Sequence, residues 1–150
     1  MTVEQLNVFI LLPIAGYLLG SVPFAFVIGK LHGVDIRTVG SRNIGATNLG
    51  RTLGKQYFWY AFLLDAAKGF FPVLAAALLT RQAVPPPGTH LLPSWAPLLT
   101  AVACVLGHVF PLYLHFKGGK GVATSFGATL GFWPLYTLAA IVGGGMFRFT

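Results

Sequence analysis

From Gln5 to Gly29, and again from Gly121 to Phe147, the chain contains no Asp, Glu, Lys or Arg. Each run exceeds the roughly 20 apolar residues that a helix needs to cross the hydrocarbon of a bilayer. With 55% hydrophobic and 9% charged residues, the 150-residue chain also has too little polar surface to cover a soluble globule. These features predict an all-α fold, a polytopic transmembrane helical bundle forming one integral membrane domain over residues 1–150. The first run is too long, and lacks the basic start, for a cleaved signal peptide, since only Glu4 stands before it as a charge. It is expected to stay as a helix.

Charge sets the expected topology. Of ten cations, five (Lys30, Arg37, Arg42, Arg51, Lys55) fall in or beside one polar stretch, Lys30 to Lys55, and two (Lys117, Lys120) in another. Such clustering marks cytoplasmic loops beside anionic lipid and puts the N-terminus outside. Nucleic-acid binding is a poor fit, because the aromatics lie in apolar segments and not among the basic residues. Cys104 has no partner, which removes a disulfide framework and a cysteine metal site.

Helices are expected from Leu6 to Ile28, bent at Pro13 and Pro23; from Tyr57 to Leu79, entered through Tyr57, Trp59 and Tyr60; and from Ala96 to Tyr113; Val122 to Thr150, divided at Trp133-Pro134, reads equally as two short helices or one kinked span. Arg81 to Trp95, rich in proline, reads as an external loop in which His90 is solvated. Gly16-Tyr-Leu-Leu-Gly20 and Gly127-Ala-Thr-Leu-Gly131 are faces on which another helix could approach closely. Asp65 and Lys68 share one face of the second helix at a depth where unpaired charge costs several kcal/mol. Two readings of them stay open, an ion pair that fixes packing and an inner wall of the active site. For His108 the choices are a hydrogen bond to a neighbouring helix or a role in steering the adjacent glycine loop.

The chemistry resides in two motifs. Val39 to Arg51 is polar and studded with glycine, and Lys117-Gly-Gly-Lys-Gly-Val-Ala-Thr124 again sets cations beside glycines. Arg51, Lys117 and Lys120 can neutralise a phosphate, while Ser41, Asn43, Thr47 and Asn48 can donate hydrogen bonds to it. Gly118, Gly119 and Gly121 would let the backbone approach. Lys120 is followed by Gly121, so there is no Walker A loop. With Glu4, Asp35 and Asp65 as the acids, a carboxylate metal site is improbable. No histidine-acid pair has the spacing that many soluble acyltransferases use. A phosphate site at a bilayer surface, joining a soluble phosphate to a lipidic partner, is what remains.

At these residues the sequence resembles the bacterial acylphosphate:glycerol-3-phosphate acyltransferase family (PlsY-type). The resemblance runs through Leu-Leu-Gly-Ser-Val-Pro-Phe24, Val39 to Arg51, Leu64-Asp65, Lys68-Gly69, Gly107-His108 and Phe116 to Thr124. It implies a multi-pass enzyme of the bacterial inner membrane that moves a fatty acyl group from acyl phosphate to the sn-1 hydroxyl of glycerol 3-phosphate. The product would be lysophosphatidic acid for phospholipid synthesis, with no cofactor and neither acyl-carrier protein nor acyl-CoA as direct donor. It also implies catalytic roles for Ser41, Arg51 and Lys120, glycerol 3-phosphate binding through Gly118, Gly119 and Gly121, and proton removal by a substrate phosphate, with Asp65 and His108 as lesser candidates. Arg42 stands where many relatives have glycine. Relatives continue to a third motif with His, Asn and Glu that this chain does not contain, so the chain is expected to be a truncated acyltransferase. Rival readings are a transporter or channel subunit for phosphorylated anions and a non-catalytic fragment.

Overall fold

In a computed structural model, residues 3–81 and 95–132 are described. They form six helices and no strand: α1 (Val3–Gly20), α2 (Phe24–Leu31), α3 (Ala46–Leu53), α4 (Lys55–Arg81), α5 (Ala96–Val109) and α6 (Val122–Phe132). Three segments, Val8–Leu31, Lys55–Thr80 and Ala96–Leu114, are long and apolar enough to cross a membrane. The Trp133-Pro134 break and the proline-rich segment with His90 lie outside the described residues.

Small residues make the interior and large apolar ones the outside, the pattern of helices packed within lipid. Ala25, Ala61, Ala76, Ala77, Ala96 and Ala101 are buried, whereas Leu11, Leu63, Phe71 and Val122 are exposed. As expected, Gly16 and Gly20 form a packing face, and its partner is α5. A Cβ on Gly20 would strike the Cys104 carbonyl, and one on Gly107 the Tyr17 carbonyl. Gly127 and Gly131 likewise lie against α4, at Ala66, Phe70 and Val73.

Two departures from the sequence reading matter. Leu6 to Ile28 is not one bent helix: α1 stops at Gly20 and α2 restarts at Phe24. Pro23 has no N–H and disfavours helical backbone at the residue before it, and Ser21 turns its hydroxyl back onto the Tyr17 carbonyl at 2.8 Å. Pro13 sits inside α1. Secondly, the Lys30 to Lys55 stretch is not all open loop, because Ala46–Leu53 is helical. Thr, Asn and Gly in that segment have poor helix propensity, which tertiary contact overrides: Leu49 and Ala46 are buried with Ile36 and Ile44 under α4. Gly50 meets Phe58 so closely that a Cβ would lie 2.5 Å from the Phe58 Cβ. The helix ends at Gly54, whose φ of 116° suits glycine.

The other helices differ only at their ends. The second spanning helix is longer than the expected Tyr57 to Leu79, and α5 stops at Val109, before Pro111, and passes into a 3₁₀ turn at Leu112–Leu114.

Ahead of α3, Asp35 accepts hydrogen bonds from the Arg37 guanidinium at 2.9 and 2.7 Å and pairs with Lys30 at 3.0 Å. Both cations also lie over the Phe26 ring, at 4.6 and 5.7 Å from its centre. Arg37 above all, then Lys30, hold the Asp35 carboxyl well below its ordinary value of 3.8.

Because the folded value is depressed, Asp35 stabilises the fold above about pH 4 and loses that contribution as pH falls through the folded value. Thermal unfolding in detergent should show D35N below the native protein at pH 6, with the gap closing under acid. Gly20→Ala should cost about 1–3 kcal/mol, since overpacking meets backbone that cannot swing away, while Leu18→Ala on the lipid side leaves the unfolding midpoint nearly unchanged.

Candidate active site

Asn48, on the buried side of α3, builds the first wall of the site. Its amide nitrogen donates to the carbonyls of Ile36 (2.8 Å), Val39 (3.1 Å) and Asn43 (3.0 Å), and its oxygen accepts the Ser41 N–H at 2.9 Å. That bonding folds residues 36–43 around one side chain. It also spends the donors that the sequence reading offered to a phosphate, so Asn48 acts here as scaffold. Asn43 turns its own oxygen onto the Gly45 N–H at 2.9 Å. Thr47 and Arg51, four residues apart on the exposed side of α3, face the other way.

That side opens on a cavity of about 320 Å³. It is lined by Ser41, Asn43, Thr47, Asn48 and Arg51, by Gly45 and Ala46 at the amino end of α3, and by Lys120 and Gly121 of the second motif. Phe58, Phe62 and Asp65 reach it from α4, and His108 from α5. Two motifs separated by nearly seventy residues of sequence, Arg51 to Lys120, therefore share one cavity.

Lys117, Gly118 and Gly119 are not among its lining residues. The glycines have another use: a Cβ on Gly118 would strike the His108 and Val109 carbonyls, and one on Gly119 the His108 ring nitrogen Nε2. They let the strand of chain before Lys120 lie flat across the end of α5. Phe116 and His115, with φ of 61° and 52°, make the turn into it.

His108 holds this strap at both ends. Its carbonyl accepts the Gly119 N–H at 3.1 Å, and its Nδ1 shares a hydrogen bond of 3.0 Å with Thr124 Oγ1 on α6. Of the two readings open for it from sequence, the bond to a neighbouring helix is present, and the Gly119 contact puts it against the glycine loop. Asp65 pairs with Lys68 at 2.8 Å, each side chain 3% exposed, and it also lines the cavity. Lys68 lies beneath the cavity and donates to the Val22 carbonyl at 2.6 Å. Among the described residues, no group of three or more His, Cys, Asp or Glu could hold a metal ion.

The site thus has a cationic, hydroxyl-bearing rim suited to an anion. The amino end of α3, at Gly45 and Ala46, also lines the cavity and brings the positive end of the helix dipole to it. Beside the rim is an aromatic wall, Phe58 and Phe62, continued by Phe126 at 6.0 Å from Phe62. A phosphate and an apolar chain can be held side by side.

Fold and site together define a multi-pass α-helical membrane protein with a cation-bearing cavity between its second spanning helix and two basic motifs. The chain belongs to the glycerol-3-phosphate acyltransferase family, whose model matches residues 10–150. Among curated relatives, the glycerol-3-phosphate acyltransferase of Aquifex aeolicus is 46% identical over 127 residues, covering 85% of this chain and 61% of the relative. That of Desulfotalea psychrophila is 48% identical over 118 residues, covering 79% and 56%. A crystal structure of PlsY, an integral membrane glycerol 3-phosphate acyltransferase in its glycerol 3-phosphate form, superposes with a TM-score of 0.73 at 43% identity, covering 91% of this chain and 65% of that one. The lysophosphatidic acid form gives 0.71 over 88% and 60%. The chain spans about three-fifths of the length of the curated relatives it matches.

A buried ion pair is costly to break from one side, because the remaining charge is left alone in a dry interior. Lys68→Met should therefore destabilise the protein by about 3–5 kcal/mol, and D65L/K68M, which removes both charges, by clearly less; unfolding of the two variants in detergent measures the difference.

Proposed function

We propose that the full-length protein is an acyltransferase of the inner membrane, its basic motifs on the cytoplasmic side and its N-terminus outside. It transfers a fatty acyl group from acyl phosphate to the sn-1 hydroxyl of glycerol 3-phosphate and releases lysophosphatidic acid and inorganic phosphate. The observation that carries this reading is the meeting of Arg51 and Lys120 in one cavity beside an aromatic wall. The family, and the substrates named for the related crystal structures, support the choice of acceptor.

The acyl phosphate is a mixed anhydride and already activated. Catalysis then consists of aligning it with the hydroxyl and stabilising the negative charge that develops. The acceptor oxygen attacks the acyl carbon, the bond from that carbon to the phosphate oxygen breaks, and inorganic phosphate leaves with the bonding electrons. A substrate phosphate takes the hydroxyl proton. Arg51 and Lys120 neutralise the phosphates, and Ser41 and Thr47, whose hydroxyls make no hydrogen bond with a described residue, orient them. Phe58 and Phe62 offer the acyl chain a surface continuous with the bilayer.

A transporter for phosphorylated anions would want a cation free along its path at depth. Lys68 is closed off by Asp65 and the Val22 carbonyl, which weighs against that reading.

With acyl phosphate and glycerol 3-phosphate supplied to purified full-length protein, lysophosphatidic acid should form. Arg51→Ala and Lys120→Ala should each lower kcat/KM by about 100- to 1,000-fold, the usual loss when one charge-stabilising group is removed, while leaving the amount of membrane-inserted protein unchanged. Turnover near the native rate in either variant would sink its assigned role.

A further inference from the structure

Lys120 is exposed and lines the cavity, between two buried glycines, Gly119 and Gly121. Its ammonium has no hydrogen-bond or ion-pair partner among the described residues, so the backbone beneath it sets where it can reach. That backbone rests on His108. The Gly119 N–H donates to the His108 carbonyl at 3.1 Å, and Gly119 lies so close against the ring that an added Cβ would strike Nε2. The angle of the ring therefore decides how Gly119, and Lys120 after it, sits over the end of α5.

Thr124 sets that angle. It is fully buried, and its Oγ1 shares a hydrogen bond of 3.0 Å with His108 Nδ1. Two other buried threonines, Thr80 and Thr100, close their hydroxyls onto carbonyls four residues back in their own helices, Ala76 and Ala96, each at 2.7 Å. Four residues back from Thr124 is Lys120, ahead of the start of α6 at Val122, and the hydroxyl crosses to α5 instead. Thr124 is also fixed from behind, since a Cβ on Gly69 of α4 would strike its carbonyl. Asp65 Oδ1, the other group near Nδ1, is 3.7 Å away, too far to hold the ring by a hydrogen bond.

We infer that Thr124 is a positioning residue for Lys120: its hydroxyl holds the His108 ring at the angle that supports Gly119 and presents the Lys120 ammonium to a phosphate in the cavity. The inference rests on the acyltransferase reading and extends it to a side chain that is not among the cavity's lining residues. Whatever Thr124 contributes to turnover passes through His108 and the strap. A role in packing alone would be filled equally by valine, which has the same shape; the ring responds to the hydroxyl.

The test is a double-mutant cycle on full-length protein, read as kcat/KM with acyl phosphate and glycerol 3-phosphate. T124V should lower kcat/KM by about 10- to 100-fold, the range for a binding group displaced by about 1 Å, while T124S, which keeps the hydroxyl, should stay within about threefold of native. In a K120A background the same T124V change should cost about twofold or less, because the group it positions is gone. A loss of equal size in both backgrounds is a general disturbance of the fold and overturns the proposal. So does T124V at the native rate, or T124S as slow as T124V. Should T124V fail to accumulate, T124A, which removes the hydroxyl without setting a methyl beside the ring, is read in the same two backgrounds by the same criteria. Native protein that forms no lysophosphatidic acid would instead remove the acyltransferase reading on which the inference rests.

Discussion

An ammonium group buried among apolar helices has to be answered from every side, and Lys68 is answered by two elements at once. Asp65 supplies the opposite charge and the Val22 carbonyl a hydrogen bond of 2.6 Å. That carbonyl belongs to the break between α1 and α2, where Pro23 interrupts the helical ladder and a polar group would otherwise face a dry interior. The proline and the lysine are thus complementary, one freeing an acceptor and the other needing one. The same contact fixes where α2 leaves α1 and holds Asp65 toward the cavity floor. Such an arrangement costs desolvation and returns registry, the best-attested use of buried charge.

Around this centre the glycines decide how near the parts can come. Gly20 and Gly107 bring α1 onto α5, and Gly69 with Gly127 brings α4 onto α6, each at a distance a methyl group would prevent. Gly118 and Gly119 do the same for the strap over His108. Lys120 then emerges from a segment pinned to α5 and α6, while Arg51 emerges from a helix pinned by Asn48. Neither cation needs a local hydrogen-bond partner to be placed; both are placed by the backbone beneath them. A site meant to bind an anion gains from this, because the cations remain available to the ligand.

The spanning helices were legible because charge-free length and small-residue spacing depend on composition alone, and Gly16-xxx-Gly20 led directly to the α1–α5 contact. The meeting of the two motifs was also foreshadowed, since cations and glycines recurred on what charge placement made one membrane face. Three things were not legible. Pro23 suggested a bend, and the capture of the Val22 carbonyl by Lys68, 46 positions later, helps to hold a full break. The short helix α3 has residues that by themselves prefer turns, and it exists because Leu49 and Gly50 fit against the core and Phe58. Asn48 and the Gly118-Gly119 pair looked like ligand groups because polar and flexible residues in a basic loop suit a phosphate. Their burial and backbone partners are long-range facts. The one sequence signal for this difference is spacing: Thr47 and Arg51 repeat at four on the exposed face of α3, while Asn48 is buried with its amide turned onto backbone.

The polarity of the cavity follows from the same architecture. Its cations come from segments outside the spanning helices and stay exposed, whereas its acid comes from α4, ten residues or about 15 Å beyond Lys55 along the helix. Phe58 and Phe62 occupy the turns between. A phosphate in the cavity meets attraction from Arg51 and Lys120 and would be driven back from the Asp65 carboxylate. An apolar tail can lie along the rings toward the lipid. Cations from the connecting segments and an acid from α4 thus give one cavity two ends of opposite charge without any moving part.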